Sequence, residues 1–211
     1  MLVRRDIVLT SAHCLAGPID HVTIAGTATS VIKCERHPGY EPGRPAHDIG
    51  YCVLGDLPAV ATLAMGLDWR PIVGAPVTLA GFGQSSALAR EPPTLRMVDT
   101  TVVGIGDGFL ASGSPTATAC RGDSGGPMLV NRDGALYVVG IIEGATAAIC
   151  GSPTQVVPTG LDRDWLAAGF ATDSKAPFSR GQRWGLGCAA LVACTLLAVL
   201  RARRAPRVRP R

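Results

Sequence analysis

Short apolar runs, each ended by a cluster of turn-forming residues, fill residues 7–142 of the chain. The 211 residues include 26 Gly and 16 Pro, and so high a content disfavours a helical bundle. Several runs alternate imperfectly between apolar and polar residues, which is typical of strands with one buried face. The pattern predicts an antiparallel barrel or sandwich. The predicted strands are residues 22–25, 30–34, 49–54, 77–82, 95–103, 128–130 and 136–142.

The C-terminal quarter has a different composition. Residues 161–169 have a helical pattern, with Leu161, Trp165 and Leu166 on one side, and residues 171–183 are polar and read as a linker. Residues 184–200 are uncharged and apolar, slightly shorter than the ~20 residues that span a bilayer. The sequence predicts a transmembrane or sorting helix there, similar to the sorting tails of some bacterial surface proteins. The alternative is a buried core helix.

The net charge of +4 comes from the end of the chain, because residues 201–211 carry six Arg. The remainder is close to neutral, so the charge gives no reason to expect nucleic-acid binding. A basic segment after an apolar span is expected on the cytoplasmic side of a membrane. We therefore predict a secreted or cell-surface protein, anchored by residues 184–200.

Seven cysteines occur without a CxxC pair, which favours disulfides in an oxidising compartment over a metal site. An odd number predicts at least one unpaired thiol. The apolar stretch at residues 7–9 is too short for an export signal, which needs roughly 7–15 residues, so we expect the natural start to lie upstream. The cysteines are Cys14, Cys34, Cys52, Cys120, Cys150, Cys188 and Cys194.

Three segments carry side chains suited to nucleophilic catalysis. His13 lies in Thr-Ser-Ala-His-Cys, Asp48 in His-Asp-Ile-Gly-Tyr-Cys, and Ser124 in Cys-Arg-Gly-Asp-Ser-Gly-Gly-Pro. A serine hydroxyl needs a base, usually a histidine, and a carboxylate that fixes the tautomer of that base. Glycines allow a backbone that exposes the hydroxyl and aims amides at an oxyanion. Taken alone, the glycine-rich string could equally be an ordinary surface turn.

Together, the three segments resemble those of the chymotrypsin/trypsin family of serine peptidases, over about residues 2–170. Residues 77–83, 138–142 and 162–166 resemble the family's Gly-x-Gly segment, substrate-flanking strand and closing helix. The resemblance implies an all-β fold of two six-stranded antiparallel Greek-key barrels and a short C-terminal helix. The first barrel would be incomplete. The implied division is 1–72 and 73–170 for the barrels, 171–183 for the linker, 184–200 for the apolar helix and 201–211 for the tail.

The resemblance also implies roles for individual residues. Ser124 would attack the scissile carbonyl, His13 would take and return the proton, Asp48 would orient His13, and the amides of Gly122 and Ser124 would form the oxyanion hole. The other residues in this region are interpreted as structural or solvated, not catalytic. These are His21, His37, His47, Asp6, Asp20 and Asp56.

Under the same resemblance, Cys120 and Cys150 match a disulfide that braces the specificity pocket. Cys34 and Cys52 fall on two segments that would be adjacent strands, which predicts a second bridge. Cys14 matches a half-cystine whose partner precedes the histidine segment. Asp123 corresponds to the acid that pairs with a new amino terminus in the family, and without that cation it would need protonation or another partner.

The implied substrate pocket departs from the trypsin type. Thr118 stands at the pocket base in place of an acid, so cleavage after Arg or Lys is not expected. Glu143, Gly144 and Ala145 replace the usual Ser-Trp-Gly, Gln155 is placed on the wall, and Glu143 is expected to repel Asp48. The predicted activity is a serine endopeptidase acting on polypeptides without metal or cofactor. The alternatives are an impaired fragment or a binding module on the same fold; the sequence does not indicate the oligomeric state.

Overall fold

The computed structural model describes residues 1–86, 92–114, 116–145 and 150–172. Within these residues the chain is mostly β, with twelve strands, a 3-10 turn at Ala12–Leu15 and one α-helix, α1 (Arg163–Thr172). The strands are β1 (Leu2–Arg4), β2 (Ile7–Thr10), β3 (His21–Ile24), β4 (Thr27–Arg36), β5 (Gly50–Leu54), β6 (Ala64–Met65), β7 (Pro76–Gly81), β8 (Arg96–Ile105), β9 (Leu110–Ser112), β10 (Pro127–Arg132), β11 (Ala135–Ala145) and β12 (Thr154–Pro158).

The first five strands form an open half-barrel in the order β1-β2-β5-β4-β3, with every pair antiparallel. All five residues of β5 are buried because it lies at the centre of this sheet. The end of β2 leads directly into the 3-10 turn that carries His13.

The later strands form a closed six-stranded antiparallel barrel in the order β7-β8-β9-β12-β11-β10, and β10 also pairs with β7. Its interior holds Val102, Leu110, Met128 and Val156, each 1% exposed or less. The short strand β6 adds to β11 in parallel, a pairing that the all-antiparallel prediction did not contain.

A second apolar cluster joins the two sheets. Ile7 and Leu9 of β2 pack with Ile141 of β11, and Leu166 of α1 closes the same cluster. Burying apolar side chains contributes roughly 25 cal/mol per Å². This shared core places the residues that follow β2, which include His13, beside β11.

The predicted mostly β architecture, with one closed and one incomplete barrel and a short helix, is confirmed. Residues 1–174 group as one compact unit, and the predicted boundaries at residues 72 and 170 remain predictions. The helix begins at Arg163, and Leu161, 59% exposed, lies before it. The prediction that Leu161 shares one side of a helix with Trp165 and Leu166 was therefore wrong.

The predicted apolar helix at 184–200, the basic tail and nearly all of the linker lie outside the described residues. In the described part of the chain, no helix has the length and apolar character needed to span a membrane.

Asp6 was predicted to be solvated, and that prediction was wrong. It is buried between β1 and β2, where its carboxylate contacts Nε of Arg4 at 2.5 Å. The Arg4 guanidinium also donates to the carbonyl of Phe170 in α1. A buried carboxylate needs such a charged partner. Arg4 is visible two residues earlier in the sequence, but only the pairing of β1 with β2 brings its guanidinium onto the buried Asp6.

Candidate active site

His13 and Asp48 form a two-point contact at the edge of the half-barrel. Nδ1 of His13 lies 2.6 Å from Oδ2 of Asp48, and the backbone amide of His13 donates to Oδ1 at 2.8 Å. Asp48 is 1% exposed, whereas the His13 side chain is 35% exposed. The buried carboxylate therefore fixes the ring orientation while the rest of the imidazole remains accessible.

The same contact changes the protonation of His13. The hydrogen bond to Asp48, followed by one to Cys14, raises the pKa of His13 to about 10, although partial burial acts in the opposite direction. The imidazolium form is thus favoured in the resting protein. A ring that holds its proton this strongly is a weak acid, and it can act as a base only once a higher pH or a bound substrate has removed that proton.

Gly50 allows Asp48 to lie close to the 3-10 turn. A Cβ at Gly50 would lie 2.6 Å from the Leu15 side chain and 2.8 Å from the carbonyl of Glu35. The absence of a side chain at the start of β5 therefore permits the two segments to approach.

Ser124 lies in a tight loop before β10. Gly122 and Gly125 on either side have φ of +94° and +80°, a region that residues with a Cβ rarely adopt. The amide of Asp123 donates to the carbonyl of Cys120 and that of Gly126 to Asp123, so two successive turns shape the loop. The glycine-rich string is thus a constrained turn that presents the serine.

The amides flanking this serine are available to a ligand. Within the described residues, neither the Gly122 amide nor the Ser124 amide donates to a protein acceptor. Free N–H groups beside a serine hydroxyl form the arrangement that stabilises an oxyanion.

Glu143 links the serine to the histidine and aspartate. The Ser124 hydroxyl donates to the Glu143 carbonyl at 3.0 Å. The Glu143 carboxylate has an oxygen in a group with His13 and Asp48 whose ligand atoms all lie within 4.8 Å of one another. The three predicted catalytic residues therefore converge around Glu143 at the inner edge of β11.

The expected repulsion between Glu143 and Asp48 is present. Burial raises the pKa of Glu143, and the negative charge of Asp48 raises it further, while His13 partly opposes the shift. The His13, Asp48 and Glu143 group also has the spacing of a cation site. The sequence had given no indication of metal ligands at these positions.

Asp123 finds backbone partners. Its carboxylate accepts the amide of Gly83 at one oxygen and that of Cys120 at the other, both at 2.7 Å. A Cβ at Gly81 or Gly83 would collide with this carboxylate. The glycines of the predicted Gly-x-Gly segment therefore make room for Asp123, and the backbone amides of Gly83 and Cys120 are the other partners that its carboxylate was expected to need.

The predicted pocket residues fall into two groups. Thr118 lines a cleft of about 540 Å³ together with Asp123 and Gly151, and its hydroxyl accepts the amide of Gly151 at 3.0 Å. Gly144 and Gln155 face each other in the register of β11 and β12, and neither lines this cleft. Ala145 is in β11 opposite Thr154.

Both predicted disulfides are confirmed. Cys34 and Cys52 face each other in the register of β4 and β5, with Cα atoms 4.0 Å apart, and Cys120 pairs with Cys150. Cys14 is a free, exposed thiol within the described residues. Cys188 and Cys194 lie outside the described residues.

A cluster that the sequence reasoning missed lies behind Asp48. His37 and His47 converge on the buried carboxylate of Asp162, which precedes α1. Both histidines were interpreted as structural or surface residues, and Asp162 was singled out only as the start of the closing helix. His47 and Asp162 are 115 residues apart in the sequence, so only the fold could reveal their contact.

The sequence model of the family described as Trypsin matches residues 1–166 of this chain. The chain belongs to the trypsin family. It is similar to trypsin alpha-4 of Lucilia cuprina, with 25% identity over 190 residues that cover 77% of this chain and 73% of that protein. It is also similar to a chymase of Papio hamadryas, with 33% identity over 155 residues that cover 61% of this chain and 62% of the chymase.

Membership of this family supports the assignment of this chain as a serine protease. The matched residues 1–166 include both β-sheets and the segments of His13, Asp48 and Ser124. Thr118, the residue that the resemblance assigns to the pocket base, lines the cleft described above.

Proposed function

We propose that this protein is a serine endopeptidase in which Ser124, His13 and Asp48 act as the catalytic triad. The observation that carries the proposal is the 2.6 Å contact between His13 Nδ1 and the buried Asp48 carboxylate, beside the Ser124 loop. The hydroxyl oxygen would attack the scissile carbonyl as His13 Nε2 takes its proton. His13 would then return the proton to the leaving amine, and water would release the acyl-enzyme by the same exchange.

The amides of Gly122 and Ser124 would donate to the oxyanion of the tetrahedral intermediate. Their lack of protein acceptors among the described residues supports this role. Removing such a donor typically costs about 10²- to 10³-fold in rate, so the positive φ of Gly122 is functionally important as well as structurally required.

Substrate selection would differ from that of a basic-specific enzyme. Thr118 offers a hydroxyl that already accepts the Gly151 amide. The Asp123 carboxylate in the same cleft already accepts two backbone amides, so neither group is placed as a ready partner for Arg or Lys. We propose cleavage after small or medium uncharged side chains, which bring no charge that the cleft would have to desolvate. A peptide library with single residues varied before the cleaved bond would test this preference.

The alternative, an impaired or purely binding protein on the same fold, is favoured by one contact. The Ser124 hydroxyl donates to the Glu143 carbonyl, so it must leave that acceptor before it can give a proton to His13. A protein in which this contact persists would bind polypeptides without cleaving them.

A fluorophosphonate probe separates the two functions. We expect it to label the full chain at Ser124, identified by peptide mapping, with labelling lost in Ser124→Ala and His13→Ala. Matched controls are Ser30→Ala, whose hydroxyl is exposed and bonded to Asp56, and His21→Ala, whose ring is exposed. An unlabelled wild-type protein that folds cooperatively would favour the binding function.

We further propose that the protein is exported to an oxidising compartment, which the two disulfides support. Anchoring by residues 184–200, with the basic tail cytoplasmic, rests on the sequence alone. Detergent phase partition of the full chain, compared with a version ending at Thr172, would test it.

A further inference from the structure

The residue immediately before Asp48 has an unusual backbone conformation. His47 has φ of +60°, in the left-handed region that residues with a Cβ adopt rarely. The carbonyl of His47 accepts the Ile49 amide at 2.7 Å, and the Asp48 amide donates to Pro45 at 3.2 Å. The turn that directs the Asp48 side chain is therefore set at His47, and such a conformation persists only where the surroundings hold it.

Asp162 is the group that holds His47. Its carboxylate is 4% exposed, and Oδ1 lies 2.6 Å from Nδ1 of His47. The second oxygen, Oδ2, is buried without a hydrogen-bond partner among the described residues. The imidazole of His47 is thus the closest donor to a carboxylate that water does not reach.

His37 completes the contact from the other side. Its ring stacks on that of His47 with centroids 4.4 Å apart, packs edge-on against Trp165 of α1, and places Nε2 3.5 Å from Asp162 Oδ1. The Gly39 amide donates to Nδ1 of His37, and burial lowers the pKa of this ring. The neutral ring therefore carries its proton on Nε2, facing Asp162.

This tautomer argues against a metal ion at the same three side chains, although their spacing would allow one. A ligating imidazole donates its other N–H to an acceptor, whereas the second nitrogen of His37 faces a donor. Two imidazole N–H groups that face one buried carboxylate instead hold the two histidine rings in place.

We propose that Asp162 is a positioning residue for the catalytic carboxylate: by holding His47 in its left-handed conformation, it directs Asp48 toward His13. The connection runs from α1 through the His47 ring and backbone to Asp48, and from there to Nδ1 of His13. The inference rests on the proposed function, because it explains how one member of the triad is aligned.

The test compares Asp162→Asn with Asp164→Asn in the full chain. Asp164 is two residues further on, its side chain is 97% exposed, and its ion pair is with the adjacent Arg163. Two readouts are measured: the NMR signal and titration of the His13 Nδ1 proton, and the rate of Ser124 labelling by a fluorophosphonate. Labelling depends on the proposed function, but the imidazole signal does not.

We expect Asp162→Asn to shift or broaden the His13 Nδ1 signal, lower the pKa of His13 and slow labelling about 10- to 100-fold, with Asp164→Asn unchanged. Equal signals and rates in the two variants would overturn the positioning role. If the His13 signal responds as expected while even the wild-type protein resists labelling, the positioning role is supported and the proposed function fails.

A second pair of variants applies if Asp162→Asn unfolds. Asn tolerates left-handed φ and keeps an N–H donor, whereas Val does neither. Both variants are compared at a temperature where thermal unfolding shows them to be folded. We expect His47→Asn to retain most of the NMR signal of the His13 Nδ1 proton and His47→Val to lose it. A folded His47→Val protein with the wild-type signal would overturn the proposal.

Discussion

Ser11 and Gly125 donate to the same acceptor, the carbonyl oxygen of Ile142, each across 2.8 Å. Ser11 lies two residues before His13, and Gly125 directly follows Ser124. The Ser11 hydroxyl is fully buried. One carbonyl of β11 thus fixes the spacing between the histidine segment and the serine segment, which belong to different sheets.

Ser11→Ala removes one of these two donors and is expected to lower the free energy of unfolding by about 1 kcal/mol. It should also slow Ser124 labelling several-fold, since His13 loses a constraint. Chemical denaturation and labelling rates give the two values. The exposed Ser30→Ala change serves as the control. If Ser11→Ala and Ser30→Ala change the unfolding free energy and the labelling rate equally, the shared Ile142 carbonyl does not fix the spacing of the two segments.

The pH dependence of acylation should follow the raised pKa of His13. Because the base form is required, the rate of reaction with p-nitrophenyl acetate should rise about tenfold per pH unit below the pKa of about 10. Asp48→Asn removes the largest cause of the shift, so its weaker activity should level off nearer the ordinary value of 6.5. A wild-type plateau already reached at neutral pH would contradict this prediction.

The same shift affects stability with a defined sign. The folded-state pKa is raised, so the stability contributed by the His13–Asp48 pair is fully present below pH 6.5 and is lost as the pH rises through about 10. The difference in unfolding free energy between wild type and His13→Ala should shrink over that interval.

Much of the fold could be predicted from turn residues and alternation. The predicted strand at 77–82 corresponds to β7, and that at 49–54 to β5. β9 and β12 were missed because neither Leu-Ala-Ser nor Thr-Gln-Val-Val-Pro shows a clear alternation of apolar and polar residues. β1 was missed because its three residues are only partly buried.

The site was predictable where its chemistry is local in sequence. His13, Asp48 and Ser124 each sit in a short, recognisable string, and the family supplies the expectation that they meet. The contact between His47 and Asp162 joins residues 115 positions apart, and the partners of Asp123 are backbone amides. Neither of these two sets of contacts can be inferred from the residue types, so both were found only in the folded structure.

Gly122→Ala should slow labelling of Ser124 by more than the cost of placing a Cβ at a positive φ would explain. Gly122 and Gly134 have similar φ, +94° and +83°, but Gly134 has open space around its Cβ position and lies in the β10–β11 turn. Each Ala substitution is expected to cost about 1 kcal/mol in unfolding free energy. Labelling of Ser124 should fall about 100-fold for Gly122→Ala alone; equal labelling in both variants would argue against an oxyanion role.

Glu143→Gln should stabilise the protein above the ordinary Glu pKa of 4.5. Burial and the Asp48 charge raise the pKa of Glu143, so the folded state favours the neutral form, and ionisation destabilises it as the pH rises. The midpoint of thermal unfolding should increase by about 1–3 °C at neutral pH and converge with wild type in acid. Glu41→Gln, at an exposed side chain, should give no such increase.

A double-variant comparison measures whether His13 and Ser124 act as one catalytic unit, as proposed. Turnover of p-nitrophenyl acetate is measured for His13→Ala, Ser124→Ala and the double variant at one pH. Residues that act as a unit show non-additive losses, so the double variant is expected to be no slower than Ser124→Ala alone. Losses that multiply, or a Ser124→Ala protein as active as wild type, would contradict it.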